Sequence, residues 1–270
     1  GKAAGFRVYR SNGETTANAS VTTSATFNLT NLTAGTYSVF LAPRDAAMGT
    51  AQLTLVNAVG GALSGGGATQ SFATTVPQQH AYFTFSATAG DDLGFAITNL
   101  VLTPSTPNYV RLWVSPPGGG SALVSGASCY TTSTPGCSFA LLNVPTTGTY
   151  NVTVESMGQS TMTFDLTLSP DVTGALTFGT PLAVTLDVPG EQAWLSFTAT
   201  AGQNVVLTKS SIATTPSGKA IWTQVYSPAG GLIANSSNNT MNLNNLSPGT
   251  YQVLVWVTDA GTATLNVGVQ

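Results

Sequence analysis

Val144-Pro145-Thr146-Thr147-Gly148-Thr149-Tyr150-Asn151-Val152-Thr153-Val154 reads as a tight turn running into a strand. Pro and Gly punctuate its first half. In its second half apolar and polar residues alternate, which sets one face toward a core and the other toward solvent. The chain repeats this stretch. Asn31-Leu32-Thr33-Ala34-Gly35-Thr36-Tyr37 precedes it and Leu246-Ser247-Pro248-Gly249-Thr250-Tyr251 follows it, so the Gly-Thr-Tyr core stands at 35, 148 and 249. The intervals, 113 and 101 residues, are the size of a whole domain and not of a solenoid turn.

A second signature lies upstream of the turn. Phe83-Thr84-Phe85-Ser86-Ala87-Thr88-Ala89-Gly90 returns 112 residues later as Leu195-Ser196-Phe197-Thr198-Ala199-Thr200-Ala201-Gly202, and it has no copy before residue 35. Gly1-Lys2-Ala3 matches Gly218-Lys219-Ala220, well inside the last repeat. The expected organisation is therefore residues 1–57 as the second half of a module, with residues 58–170 and 171–270 as complete modules.

Each copy is expected to close with one more strand, at residues 51–55, 162–168 and 263–267. No stretch holds helical periodicity over three turns, and Thr, Val, Tyr, Phe and Trp suit a pleated, half-buried surface. The predicted fold is all-β: tandem antiparallel β-sandwich modules, jelly-roll- or immunoglobulin-like, of about seven to nine strands each. Gly90 and Gly202 belong to tight turns, Ala89-Gly90-Asp91-Asp92 and Ala201-Gly202-Gln203-Asn204, where glycine supplies positive φ. Residues 116–120 and 227–231 mark hairpins. The Gly-rich residues 60–67, aligned with 172–176, read as linkers between modules. Gly35, Gly148 and Gly249 shape the recurrent turn. Tyr37, Tyr150 and Tyr251 are expected to bury their rings and bond their hydroxyls to backbone, as in a tyrosine corner.

Composition excludes several function classes. Charged residues make up only 6% of the chain and apolar ones 42%, against about 25% charged in an ordinary soluble domain, so the chain folds rather than staying disordered. The 7 basic residues are scattered singly and form no stripe for phosphates, so no nucleic-acid partner is expected. No apolar run approaches the roughly 18 residues of a membrane span.

Candidate chemistry is sparse. Cys129 and Cys137 flank a Ser/Thr/Pro/Gly loop. A local disulfide and an oxidising compartment are the preferred reading, with two free buried thiols as the alternative. His80 is the only histidine, and its counterpart in the next copy is Gln192, so it reads as an exposed turn residue rather than a catalytic base. Asp91 and Asp92 are the only adjacent acids, and Gln203-Asn204 replace them. They read as turn chemistry, leaving room for a weak Ca2+ site that lacks the several carboxylates calcium prefers. Trp113, Tyr130, Trp222, Tyr226 and Trp256 could form a sugar platform, but most lie in alternating strands where core packing is the plainer reading. Tyr130, in the cysteine loop, is the exception and the candidate ligand contact. No catalytic or cofactor-binding residue is expected, and the chain reads as no enzyme.

Aromatic-Thr-Phe-x-Ala-x-Ala-Gly, then a strand, a Pro/Gly turn and Pro-x-x-Gly-Thr-Tyr-x-Val-x-Val resembles the bacterial pre-peptidase C-terminal domain. The chain is also similar to tandem sandwich modules of very large secreted proteobacterial proteins, some carrying RHS repeats. The resemblance implies secretion, a jelly-roll-like sandwich and a non-catalytic accessory or stalk role; some relatives bind calcium or polysaccharide. The expected role is a structural segment of an extracellular or cell-surface stalk, adhesin shaft or filament. Its partners would be adjacent modules or copies of itself, joined by strand addition to the half-module. A glycan-binding or adhesive module, and an accessory domain of a secreted hydrolase, are the alternatives.

Overall fold

The alternating stretches become strands. A computed structural model describes residues 3–30 and 32–270; the proposed match of Gly1-Lys2 to Gly218-Lys219 lies outside these residues, as does Asn31. The half-module forms β1 (Ala4–Arg10), β2 (Thr15–Val21) and β3 (Tyr37–Pro43). The middle module comprises β4 (Val59–Ala62), β5 (Gln70–Ala73), β6 (Ala81–Ala87), β7 (Leu93–Thr103), β8 (Tyr109–Ser115), β9 (Val124–Tyr130), β10 (Gly136–Leu141), β11 (Gly148–Ser156) and β12 (Thr161–Pro170). The last comprises β13 (Val172–Ala175), β14 (Leu182–Leu186), β15 (Gln192–Ala199), β16 (Gln203–Thr215), β17 (Ile221–Tyr226), β18 (Leu232–Ser236), β19 (Thr240–Leu246), β20 (Gly249–Val257) and β21 (Thr262–Val269).

The two full modules share one topology. A five-stranded sheet ordered β4-β6-β11-β8-β9 packs on a four-stranded sheet ordered β10-β7-β12-β5, and β13-β15-β20-β17-β18 packs on β14-β21-β16-β19 in the same way. Each sandwich closes over its own core. Phe83, Phe85, Phe95, Tyr150 and Phe164 fill the middle one, and Leu195, Phe197, Tyr251 and Leu265 the last. In both, the corner tyrosine stacks on the phenylalanine of the paired strand, Tyr150 on Phe85 at 5.3 Å and Tyr251 on Phe197 at 5.2 Å. The hydroxyl of Tyr150 donates to Thr146 O at 2.6 Å and that of Tyr251 to Ser247 O at 3.1 Å. Glycine precedes Thr-Tyr because a Cβ there would sit 2.8 Å from the Pro117 ring at Gly148 and 2.7 Å from the Pro228 ring at Gly249.

Several sequence readings need correction, the first two of them here. Residues 60–67 and 172–176 are not plain linkers: each contributes a first strand, β4 and β13, running parallel to β6 and β15. Their glycines conceal the strand pattern: a Cβ on Gly60 would lie 1.7 Å from Tyr82 O, and one on Gly174 2.8 Å from the Leu182 side chain. Second, the large strand aromatics are not core residues. Trp113, Trp222, Tyr226 and Trp256 occupy the outward positions of β8, β17 and β20 and are half-buried.

The half-module shows what an unpartnered strand costs. Its order β2-β1-β3 reproduces β9-β8-β11 and β18-β17-β20, and among the described residues no strand of the β6 or β15 kind lies beside β3. Residues 51–55, expected as a strand, are irregular, with Leu55 92% exposed. The matching β12 and β21 pair with the central strands β7 and β16, and the half-module has no such strand among the described residues. An alternating sequence without a neighbour to bond cannot satisfy its backbone as a strand.

Candidate functional site: an open strand edge and the module junctions

The open edge belongs to β3. In β11 the inward residues Tyr150, Val152 and Val154 are each 0% exposed, paired with Phe85, Phe83 and Ala81 of β6. The equivalent residues of β3 are Tyr37, Val39 and Leu41, and here Val39 is 51% and Leu41 36% exposed. Covering such a side chain fully is worth about 1.5–3 kcal/mol. Part of the face is sheltered by its own chain. Phe27 stacks on Phe6 at 4.3 Å, Val8 is buried, and Tyr37 still donates to Thr33 O at 2.9 Å. Gly35 opens this turn with nothing packed against it, unlike Gly148 and Gly249.

The half-module is fastened to the middle one by hydrogen bonds of the irregular segment that follows β2. Thr26 Oγ1 donates to Pro77 O at 2.6 Å, Asn28 Nδ2 donates to Gln78 O at 2.9 Å, and His80 N–H donates to Asn28 Oδ1 at 2.9 Å. His80 is therefore a half-buried junction residue and not an exposed turn residue. Its Nε2 lies 3.7 Å from the Glu155 carboxylate and its Nδ1 3.3 Å from the Tyr82 hydroxyl. Burial pulls its pKa down, and Glu155 partly offsets this.

The junction between the two full modules is tighter. A Cβ on Gly94 would lie 1.9 Å from Gly190 O, so the turn before β15 rests directly on the backbone of β7. Asp171, between β12 and β13, has both carboxylate oxygens buried without a well-formed hydrogen bond, although the N–H groups of Gln192 and Trp194 face them. Burial first, then the nearby Asp92, push its pKa up to about 7 against those two donors, with Glu191 adding to the rise. Nothing in the sequence singled Asp171 out: burial is a tertiary property.

The other sequence candidates are placed as follows. Gly90 and Gly202 have φ of 92° and 75°, and their N–H groups donate to Val144 O and Leu246 O at 2.8 Å. Asp91 accepts the Thr88 N–H and Asp92 the Asn143 N–H, both at 2.7 Å. In the last module Gln203 and Asn204 accept the equivalent N–H groups of Thr200 and Asn245 at 2.8 Å through amide oxygens. These turns require a side-chain oxygen and not a charge. Among the described residues no group of three or more His, Cys, Asp or Glu side chains gathers for a metal, and no helix is long and apolar enough to cross a membrane.

Cys129 and Cys137 form a disulfide between β9 and β10. Tyr130 beside it is 44% exposed, its ring 5.2 Å from Tyr109. The last module pins the same corner differently. Lys209, at the position of Ile97, is 5% exposed and donates its ammonium to Ile221 O and to Ser237 O. Burial lowers its pKa to about 8. A lone lysine at an inward position of an alternating strand is the sequence signal that this group leaves.

No protein-family model matches the chain, and no curated protein matches it. Among solved structures it is similar to the pre-peptidase C-terminal domain of collagenase from Bacillus anthracis (TM-score 0.31, 17% identity, over 37% of this chain and 97% of that one). It is similar to the periplasmic lysozyme inhibitor PliG of Aeromonas hydrophila (TM-score 0.30, 15% identity, 37% and 97%). It is also similar to the CUB1-EGF-CUB2 domains of rat MASP-1 (TM-score 0.24, 10% identity, 74% and 97%). The all-β tandem sandwich architecture itself rests on the strand pairing of this chain.

Proposed function

We propose that the chain is a non-catalytic, extracellular structural segment in which sandwich modules stack end to end as a stalk, shaft or filament. Its half-module is completed by strands of the β6 and β7 kind, from preceding chain or from a neighbouring copy. The observation that carries this reading is the edge of β3. Two sandwiches in the same molecule display what belongs there: an antiparallel strand with a phenylalanine opposite the corner tyrosine, Phe85 opposite Tyr150 and Phe197 opposite Tyr251. Exposed strand edges with apolar faces are sites of strand addition or aggregation. The junction made by Gly94 and Gly190 supports end-to-end stacking, because it fixes one module on the next by backbone contact. The disulfide supports an oxidising compartment.

A synthetic peptide of residues 79–89, the β6 strand with its flanks, tests the edge. Added to the intact chain, it is expected to bind saturably and to slow hydrogen exchange at the N–H groups of residues 38–42. A scrambled peptide should do neither. Equal exchange with both peptides would refute completion by a β6-type strand, whereas filaments or oligomers seen by electron microscopy without added peptide would assign the donor to a neighbouring copy.

A further inference from the structure

The outer face of the β13-β15-β20-β17-β18 sheet is aromatic. Trp222 and Trp256 stack with centroids 6.3 Å apart, and Trp194 and Tyr226 lie 5.6 Å apart, tilted by 38°. Leu254, between them, is only 3% exposed although it points away from the core. The scaffold does not require three of these four rings. By strand register, the middle module carries Tyr82, Arg111, Ser115 and Glu155 where the last carries Trp194, Trp222, Tyr226 and Trp256. That face of the middle module is instead knitted by polar groups, with Trp113 Nε1 donating to Glu155 at 2.8 Å and His80 beside the same carboxylate.

One end of the aromatic face is walled by the middle module. Trp194, Tyr226 and Gln252 form the floor of an open cleft of about 710 Å³, Thr173 of β13 adds a hydroxyl, and Asp92 and Asn143 line the facing wall. The floor is rigid. The Tyr226 hydroxyl donates to Gln224 Oε1 at 2.7 Å, and the wall is fixed by the Asn143 N–H on Asp92 at 2.7 Å. Ligand clefts of roughly 300–1,000 Å³ at domain junctions, with aromatic surface and a few fixed polar groups, are the usual form of small-molecule sites.

We propose that this inter-module cleft binds a neutral oligosaccharide. The ring faces of Trp194 and Tyr226 take the C–H face of a pyranose, and the amides of Gln252 and Asn143, the Thr173 hydroxyl and the Asp92 carboxylate exchange hydrogen bonds with its hydroxyls. Among the described residues no Lys or Arg lines the cleft and Asp92 does, which disfavours uronate or sulfated sugars. The inference is independent of strand completion, since it uses neither β3 nor the half-module.

The test uses the intact chain with cellohexaose, laminarihexaose, chitohexaose, mannohexaose and, as the anionic control, hexagalacturonate, followed by tryptophan fluorescence and saturation-transfer NMR. At least one neutral hexasaccharide should bind saturably and hexagalacturonate should not. Tyr226→Ser places there the residue that the middle module already tolerates as Ser115, so the fold survives; it should weaken binding at least tenfold. Trp194→Ala should abolish binding, and Trp113→Ala, on the other module, should leave it unchanged. Absence of saturable binding for all four neutral sugars at millimolar concentration would overturn the proposal. So would equal binding by Tyr226→Ser, or a preference for hexagalacturonate.

Discussion

Replacing Cys129 and Cys137 together by alanine should destabilise the middle module and spare the last. The bridge closes a short loop, with the two cysteines 8 positions apart. Chain-entropy reasoning for a loop of that length gives about 2.5 kcal/mol of stabilisation at 25 °C. Cys129 is 1% exposed and packs in the core, so its lost sulfur adds up to about 1 kcal/mol through the small void left behind. At about 4 °C per kcal/mol for a domain of roughly 110 residues, the middle module should melt about 10–14 °C lower. The last module provides the internal control, because Lys209 and not a disulfide holds its equivalent corner. Hydrogen exchange read by mass spectrometry through a urea series resolves the modules by their own peptides. Peptides from β6, β8 and β11 should lose protection at lower urea, while those from β15, β17 and β20 stay where they were. Equal shifts in both modules would refute the view that each sandwich is an independent folding unit. No shift in the middle module would refute the claim that the bridge stabilises this corner.

Three further outcomes follow from the junctions and corners. Gly94→Ala puts a Cβ 1.9 Å from Gly190 O, so small-angle scattering should show a longer particle with both cores intact; an unchanged radius of gyration would count against a backbone-contact junction. Asp171, at about 7 in the folded chain against 3.8 for its ordinary value, binds its proton more tightly when folded. Its contribution is full below about pH 4 and is lost as pH rises through 7, costing at most about 4 kcal/mol. Urea unfolding at pH 5 and pH 8 should show about 3 kcal/mol of that loss, the part between pH 5 and the folded value of about 7, and Asp171→Asn should flatten it; an equal slope in the variant would sink this assignment. Tyr150→Phe removes a donor held at 2.6 Å from Thr146 O in a buried corner and should cost about 1–3 kcal/mol. Tyr37→Phe, in the open half-module, should cost less than about 1 kcal/mol by the same denaturation assay, and equal costs would contradict the difference in burial.

Much of the fold was legible because its signals are local. Gly-Thr-Tyr and Ala-Thr-Ala-Gly are turn and strand chemistry, and their spacing marks the modules without reference to any contact. The two cysteines announced a bridge because the loop between them is short. Asp91 and Asp92 read as turn residues by comparing repeats, and each accepts a turn N–H as Gln203 and Asn204 do through their amides.

Two of the failures share one cause, which is that pairing decides what an alternating sequence becomes. Residues 51–55 have the pattern of β12 and β21, yet they remain irregular because no central strand accepts their backbone. Residues 60–67 and 172–176 look like linkers, yet each yields a strand because a neighbour is present. Period two also cannot say which face of a strand is the inner one, so Trp222, Tyr226 and Trp256 were placed in a core that they turn away from. By itself, then, the sequence determined the all-β class, the alternating strands around each Gly-Thr-Tyr and Ala-Thr-Ala-Gly signature and their turns, which follow from residue type and period. Only the tertiary structure decided the open edge of β3, the burial of Asp171 and Lys209, and the cleft over Trp194, because each is made by chain segments far apart in sequence meeting, or failing to meet, in space.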